Sequence, residues 1–209
     1  MKKIGITSRI IEDGNYGEVR DAIDVNWIKL IDYLEFIPIL IPTGVDYPDY
    51  IKSSNIDGII FSGGDDLYSI SKNDLSKLRD EKEKRILDYS IEECIPVYGV
   101  CRGMQFIAEY FGSTLNKMSN HVAVSHKIKP AHSFWGSEYL NESKTVNSYH
   151  NYGFNMLSDK LLSVAVAEDS SVEAFIHKRL KIFGQMWHPE REDPFKVFDL
   201  KLIQLFFND

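Results

Sequence analysis

A cysteine flanked by glycines lies where a predicted strand meets a predicted helix, and this junction constrains the fold more than any other feature. The stretch PVYGV ends directly before Cys101, and RGMQFIAEYF begins directly after it. Gly99 and Gly103 stand two residues to either side of the cysteine. A sharp turn from strand to helix crowds its neighbours, and small residues relieve the clash. The sequence therefore predicts an elbow that presents a thiol.

Strands alternate with helices along the first half of the chain. Apolar runs predict strands at residues 2–7, 36–42, 56–64 and 95–100, and helical spacing predicts helices at 22–34, 73–94 and 102–112. This alternation is typical of an α/β fold with a central, mostly parallel sheet flanked by helices. Short segments after residue 113 predict added antiparallel strands, and a last helix is expected over 195–207. With no linker or repeat in sight, residues 1–209 are predicted to form one domain.

Composition and charge exclude several classes of protein. The formal net charge of -7 argues against binding to a nucleic-acid backbone. No apolar run approaches the ~20 residues that span a bilayer, and the start MKKIGITSRI lacks the apolar core of a signal peptide, so we expect a cytoplasmic protein with no membrane partner. The two cysteines, Cys94 and Cys101, are spaced unlike a zinc site. Cys94 ends a predicted helix without flanking glycines and is expected to be a buried structural cysteine.

Cys101 is predicted to be a nucleophile rather than a packed core cysteine. Ligand sites of α/β sheets form at the carboxyl ends of the strands, where this residue lies. The positive end of the following helix favours a thiolate there. The backbone N–H of Arg102 would face a developing oxyanion. Gln105, four residues after the cysteine, lies on the same helical face, so its amide can reach the same pocket.

His188 is the predicted base for this nucleophile. Of six histidines, it alone follows the apolar segment KIFGQMW and precedes a Pro-Glu pair. Proline fixes the turn, and Glu190 can accept a hydrogen bond from the imidazole, which leaves the other ring nitrogen facing the cysteine. Gly63 and Gly64 end another buried strand and could supply a second oxyanion donor. If the first four strands lie in chain order, that loop is beside the cysteine.

These motifs together resemble the class I glutamine amidotransferase-like superfamily, and within it the Peptidase C26 branch that includes γ-glutamyl-GABA hydrolases. The resemblance covers nearly the whole chain, through ITSR, FIPILIP, IIFSGGDDL, YGVCRGMQFIAEYFGSTL, VNSYHNYG, VEAFIH and FGQMWHPE. It implies a flavodoxin-like, class I glutamine amidotransferase fold and no metal or cofactor. The chain departs from the usual GVQWHPE at Gln185 and Met186, and it has Asn151 and Tyr152 where the branch often has a second His or Gln.

The resemblance also implies the roles of individual residues. Cys101 would be the nucleophile, His188 the base and Glu190 its orienting partner, in a Cys-His-Glu triad. The oxyanion donors would be the N–H groups of Arg102 and of Gly64 or Gly63. Gln105 and the segment Ser148, Tyr149 and His150 would hold the glutamyl group. The reaction implied is hydrolysis of a γ-glutamyl amide through a thioester, which releases glutamate and an amine or amidate.

Loops around the elbow must select the leaving group. Lys127 and Lys129 lie in a segment with Trp135, and Arg9 follows the first strand. Cations beside aromatic rings suit a flat, anionic group, so we expect a γ-glutamyl-linked nucleotide amidate as substrate. Other hypotheses are a γ-glutamyl-GABA hydrolase, a glutaminase subunit that delivers ammonia to a separate synthase, and a non-catalytic relative. Either a synthase partner or a homodimer is compatible with the sequence.

Overall fold

The computed structural model describes residues 1–14 and 16–208. Its strands are β1 (Lys3–Thr7), β2 (Arg9–Asp13), β3 (Glu18–Ala22), β4 (Ile37–Ile41), β5 (Gly58–Phe61), β6 (Val97–Val100), β7 (Asn116–Lys117), β8 (Val122–Pro130), β9 (Lys144–Tyr149), β10 (Tyr152–Gly153), β11 (Leu161–Ala167), β12 (Val172–His177) and β13 (Ile182–Gln185). Its α-helices are α1 (Val25–Tyr33), α2 (Tyr47–Ser54), α3 (Tyr68–Ser71), α4 (Asp74–Glu92), α5 (Arg102–Tyr110) and α6 (Val197–Asn208), and a 3₁₀ helix spans Pro189–Arg191.

A nine-stranded mixed sheet forms the centre of the molecule, in the order β4-β1-β5-β6-β13-β12-β11-β8-β9. The neighbours from β4 to β13 pair in parallel, and those from β13 to β9 pair antiparallel. The predicted fold class, a mostly parallel sheet with helices and added antiparallel strands, is confirmed. Five parallel strands place their carboxyl ends at one edge of the sheet, where α/β proteins bind ligands.

The order of the parallel strands differs from the chain order that the sequence suggested. β4 lies outside β1, and β5 lies on its other side, so the first four parallel strands run second, first, third, fourth. If the parallel strands lay side by side in chain order, right-handed crossovers would place every connecting helix on one face of the sheet. Because the strand order reverses direction after β4, the connecting helices cover both faces. The adjacency that matters for the site is retained, because β5 pairs directly with β6.

Several elements were not predicted from the sequence, among them a hairpin and a helix. The sequence predicts no strand at residues 8–20, but β2 and β3 form an antiparallel hairpin there. Their side chains are mostly exposed, so the strands lack the apolar alternation that marks a half-buried strand. Helix α2 was also missed, although Asp46 caps its first turn by accepting from the N–H of Asp49.

The core contains residues from both halves of the sheet and from α6. Trp135, expected near the leaving group, instead packs edge-on against Phe183 of β13, at 5.7 Å between ring centroids, and lies 5.5 Å from Phe206 of α6.

The prediction of a buried Cys94 is wrong, because this residue is exposed in the turn that ends α4, with φ 56°. No helix among the described residues is long and apolar enough to cross a membrane.

Candidate active site

The structure has the elbow that the glycine spacing predicts. Cys101 lies between β6 and α5 at φ 50° and ψ -104°, a backbone conformation that is strained for any residue with a side chain. A methyl group on Gly103 would come within 2.1 Å of the Phe61 carbonyl oxygen of β5. One on Gly99 would lie 2.7 Å from Ile107 of α5. Glycine at both positions therefore allows β5, β6 and α5 to meet around the thiol.

His188 and Glu190 follow β13, the parallel neighbour of β6, and both side chains are buried. The imidazole Nδ1 lies 2.7 Å from Oε1 of Glu190, and the Cys101 side chain is close enough to the imidazole to affect its pKa. Burial by itself lowers the pKa of His188, but the charges of Cys101 and Glu190 and its hydrogen bonds to both raise it to about 9. The three predicted triad residues are therefore joined in one chain of contacts.

Asn147 fixes the main chain of His188, a role that sequence reasoning missed. Its Nδ2 donates to the His188 carbonyl at 2.8 Å, and its Oδ1 accepts from the His188 N–H at 2.8 Å. The same Nδ2 also lies 2.7 Å from Oε1 of Glu192. The two hydrogen bonds between Asn147 and the His188 main chain connect β9 to the segment after β13. An asparagine within one of the short strands predicted after residue 113 was the signal that could have identified it, because a polar side chain that a strand buries needs hydrogen-bond partners.

The Gly63–Gly64 loop lies against the imidazole. A methyl group on Gly63 would come within 2.6 Å of Cε1 of His188, so only glycine permits this approach. Arg79 holds the loop, donating to the carbonyls of Ser62 at 2.8 Å and of Gly63 at 3.2 Å. Because a trans peptide sets its N–H opposite to its carbonyl, the Gly64 N–H points away from Arg79.

Charged side chains of α4 are buried beneath this loop. Glu83 bonds to Arg79 at 3.0 Å and also pairs with Arg102, and the three side chains are nearly inaccessible to solvent. Burial raises the pKa of Glu83, yet Arg102 and Arg79 lower it below its ordinary value. Burial lowers the pKa of Arg79 to about 10, despite Glu83. Arg102 thus takes part through its guanidinium in positioning the loop, in addition to the role predicted for its N–H.

The residues expected to hold the glutamyl group are in mixed positions. The amide of Gln105 donates to the Tyr152 carbonyl at 2.8 Å. The Ser148 hydroxyl is fully buried and donates to the His121 carbonyl, so it is not free for a substrate. His150 is also buried, and it turns toward Glu173. The hydrogen bond of Ser148 and the direction of the His150 ring argue against direct substrate contacts by these two residues.

Tyr149 is half-exposed and lies next to His188. Its ring meets His188 edge-on at 5.8 Å between centroids. The Arg191 guanidinium lies over the same ring, at 4.6 Å from its centroid. A cation on an aromatic face is attracted by the negative charge density of the ring. Of the predicted segment, Tyr149 therefore lies beside the base.

A cavity of about 330 Å³ opens beside His188 and Gly63. Two arginines line it: Arg9, which was predicted, and Arg191, which was not. Lys127 and Lys129 do not line this cavity, and they alternate along β8 with His126 and the buried Ile128. Since successive side chains of a strand face opposite ways, both lysines are directed to solvent. The prediction that they form the leaving-group pocket therefore has no support from their position.

A second polar cluster lies apart from the triad and was missed. It comprises His121, His126, His150 and Glu173, whose ligand-type atoms lie within 4.8 Å of one another. The five-residue spacing of His121 and His126 would put them on opposite faces of a regular strand, so no simple pattern in the sequence marks the cluster. Neither cysteine belongs to it.

The fold is that of the class I glutamine amidotransferases. A solved structure described as a GMP synthase subunit from Thermoplasma acidophilum superposes with a TM-score of 0.74 at 22% identity, covering 99% of this chain and 92% of that one. A glutamine amidotransferase from Thermotoga maritima gives 0.66 at 13% identity, covering 97% and 82%. At these identities the likeness concerns the fold.

The Peptidase C26 family description matches residues 3–190, and the chain belongs to that family. It is 37% identical over 194 residues to the gamma-glutamyl-CDP-amidate hydrolase of Campylobacter jejuni, covering 91% of this chain and 90% of the relative. It is also 34% identical over 153 residues to a subunit of the glutamine-hydrolyzing GMP synthase of Picrophilus torridus, covering 72% and 74%. The family expected from the motifs, and with it an enzyme of the hydrolase class, is confirmed.

Proposed function

We propose that the protein hydrolyses γ-glutamyl-CDP-amidate to glutamate and cytidine diphosphoramidate. The observation that carries this proposal is the chain of contacts from Cys101 through His188 to Glu190, at the adjoining ends of β6 and β13. A thiol, a base and a carboxylate in this order suit covalent catalysis of acyl transfer. Buried surroundings strengthen every charge interaction among them.

In the first half-reaction the Cys101 thiolate attacks the γ-carbonyl carbon of the glutamyl group. A C–S bond forms, and the carbonyl electrons move to oxygen, which accepts from backbone N–H groups of Arg102 and the Gly63–Gly64 loop. As the oxyanion collapses, the C–N bond breaks and protonated His188 donates its proton to the leaving nitrogen. The products are a γ-glutamyl thioester, neutral His188 and the free amidate.

In the second half-reaction water replaces the amidate. Neutral His188 takes one proton from the water as its oxygen attacks the thioester carbon. The C–S bond then breaks, glutamate leaves, and the enzyme returns to a thiolate beside a protonated imidazole. Glu190 keeps the imidazole in one orientation and stabilises its positive charge throughout, without itself exchanging a proton.

The nucleotide leaving group is supported by the cavity and by a relative. Arg9 and Arg191 line the cavity next to His188, and guanidinium groups bind phosphate oxygens through paired hydrogen bonds. The half-exposed ring of Tyr149 contacts His188 and Arg191, two residues that line this cavity, and it can stack on a base. The relative in Campylobacter jejuni bears the name of this activity.

A substrate comparison tests the proposal. We expect kcat/KM for γ-glutamyl-CDP-amidate to exceed the values for γ-glutamyl-GABA and for glutamine by at least about 10²-fold, since either alternative forfeits the phosphate contacts. Cys101→Ser should lower kcat for all three. A preference for either small substrate would contradict the proposed leaving group but leave the thioester chemistry standing.

A glutaminase subunit is the second candidate function. It is favoured by the 34% identity to the Picrophilus torridus protein, which is named as one part of a glutamine-hydrolyzing synthase. Such a role predicts slow glutamine hydrolysis by the purified chain and strong stimulation by a synthase. Fast hydrolysis of γ-glutamyl-CDP-amidate by the chain alone would contradict it.

A further inference from the structure

We infer that His121, His126, His150 and Glu173 bind a Zn²⁺ ion in a structural site beside the active-site edge of the sheet. Three segments contribute: residues 121–126 at the start of β8, His150 directly after β9, and Glu173 in β12. The inference does not depend on the proposed hydrolysis, because it uses none of the triad residues. The proposed reaction uses none of these buried polar groups, and metal binding would give them a role.

The separations between donor atoms fit a metal better than direct hydrogen bonds. Oε1 of Glu173 lies 3.5 Å from Nδ1 of His121, 3.7 Å from Nε2 of His126 and 3.6 Å from Nε2 of His150. These values exceed the usual hydrogen-bond range. Zinc bonds of about 2.0–2.2 Å in a tetrahedron place neighbouring donors about 3.4 Å apart. All four donor atoms lie within 4.8 Å of one another.

The inner atoms of the cluster form no hydrogen bonds with the described residues. This holds for both oxygens of Glu173 and for the inner nitrogens of His121, His126 and His150. Glu173 is fully buried, and His121 and His150 are more than nine-tenths buried. An uncompensated buried carboxylate is expensive, and buried charges are normally paired or coordinate a metal.

The outer ring nitrogens are held by acceptors, as in known zinc sites. Nε2 of His121 lies 2.9 Å from Oδ2 of Asp169, and Nδ1 of His150 lies 3.0 Å from the Tyr152 carbonyl oxygen. Since a carboxylate or carbonyl only accepts, these nitrogens bear the hydrogens, and in the neutral rings the inner nitrogens direct lone pairs at Glu173. Lone pairs that face a carboxylate repel it, and a cation between them would remove this repulsion. The outer hydrogen bonds are typical of metal-binding histidines.

A backbone irregularity at the start of β8 brings His121 and His126 to one side. The register of β8 against β9 shifts between Val122 and Val124, and Ala123 has φ 53°. One extra residue in a strand shifts the alternation of the side chains that follow it. Two residues that a regular strand would direct to opposite faces can then lie on the same face. His121 and His150 then lie 4.7 Å apart between ring centroids, and His121 and His126 4.8 Å. Protonating all the rings would instead crowd like charges at these distances.

The donor set favours zinc and a structural role. Three imidazole nitrogens and one carboxylate oxygen suit Zn²⁺, and four protein ligands leave no position for substrate. The ion would tie the start of β8 to β12 and to the segment after β9. That segment also includes Tyr152, whose carbonyl accepts from the active-site residue Gln105.

Metal content and affinity test the inference without any assay of hydrolysis. Protein made in zinc-supplemented medium is analysed by elemental mass spectrometry, and the chelator-treated protein is titrated with Zn²⁺ against a chromophoric chelator. We expect about one equivalent per chain in the wild type and in Cys101→Ser, which excludes zinc bound adventitiously at the catalytic thiol. His132→Ala, at an exposed histidine outside the cluster, is the matched control and should keep the ion.

Variants of the cluster should lose the ion. His126→Ala and Glu173→Gln should bind Zn²⁺ at least about 100-fold more weakly, and Asp169→Asn, which alters only an outer partner, about 10–100-fold more weakly. If a ligand variant fails to fold, Co²⁺ added to the wild type still decides, through the visible absorption of a tetrahedral site. No uptake of zinc or cobalt by the folded wild type, or equal affinity in His126→Ala and Glu173→Gln, would overturn the inference.

Discussion

At the scale of single residues, His188 combines burial with two acidic neighbours, and its protonation follows from that balance. Cys101 and Glu190 raise its pKa to about 9 against the effect of burial. In the proposed mechanism the protonated ring donates to the leaving nitrogen, so activity should fall as pH rises through about 9. Glu190→Gln removes one negative charge, so we expect the pKa and this upper limit of kcat/KM to move to lower pH.

The same variant should also lower kcat, by about 10²–10⁴-fold, because the base loses its orienting charge. It should cost less than Cys101→Ser, since Glu190 does not react. The pH profile of kcat/KM measures the first effect and single-turnover kinetics the second. Glu142→Gln, at an exposed carboxylate, is the control. An unchanged upper limit in Glu190→Gln would contradict this assignment.

Gly63 is predicted to matter because of the space it leaves. In Gly63→Ala the added methyl would come within 2.6 Å of the His188 ring and displace it. A misplacement of about 1 Å can cost about 10² in rate, so we expect kcat to fall by that order. Gly14→Ala is the matched control, because a methyl group there meets no atom within 4 Å. Equal kcat values for the two variants, measured on folded protein, would show that the contact has no catalytic role.

At the scale of elements, α4 illustrates what sequence reasoning could not supply. Its length was predicted to within two residues at either end, from Leu75, Leu78, Ile86 and Leu87 at helical spacing. The burial of Arg79, Lys82 and Glu83 was missed, since charged residues normally mark the solvent face. Partners on other elements make that burial tolerable: Arg102 of α5 and Thr7 of β1 for Glu83, the Ser62 and Gly63 carbonyls for Arg79, and Ser8 for Lys82.

This network should be sensitive to the loss of one charge. Glu83→Gln leaves the Arg79 and Arg102 guanidinium groups buried without their shared carboxylate. Breaking a buried ion pair typically costs about 3–5 kcal/mol, and we expect the free energy of unfolding in urea to fall by that amount. Glu81→Gln changes the exposed residue two positions earlier on the same helix and should change little. A loss below about 1 kcal/mol in Glu83→Gln would mean that the network is not stabilising.

The β2–β3 hairpin contributes Arg9 to the cavity, although the sequence predicts no strand at residues 8–20. If Arg9 binds a phosphate group, Arg9→Met should raise KM for γ-glutamyl-CDP-amidate by about 10-fold or more and affect glutamine hydrolysis less. Lys127→Ala combined with Lys129→Ala is the control, because these lysines lie outside the cavity. A larger increase in KM from the lysine pair than from Arg9→Met would indicate that the leaving group binds beside β8 instead.

At the scale of the whole molecule, sequence patterns predicted the features that depend on a few neighbouring residues. The elbow was predictable because glycine spacing and a strand–helix junction leave few alternatives, and Pro189 and Glu190 marked His188. Contacts between distant segments were not predictable. The hydrogen bonds of Asn147 to the His188 main chain join residues 41 positions apart, and Glu173 lies beside histidines from two other segments. The antiparallel half of the sheet was predicted as strands, but its order depends on packing that no single segment encodes.

The central claim is that Cys101 forms a covalent γ-glutamyl adduct, and the chain provides its own control. Cys94 is exposed and Cys101 is buried, so a merely reactive electrophile should label Cys94 first. We would treat the protein with a diazo-ketone analogue of glutamine and locate the adduct by peptide mass spectrometry. We expect one adduct per chain on Cys101, formed in step with the loss of activity, and an unmodified Cys94. Inactivation without modification of Cys101, or labelling confined to Cys94, would contradict the claim.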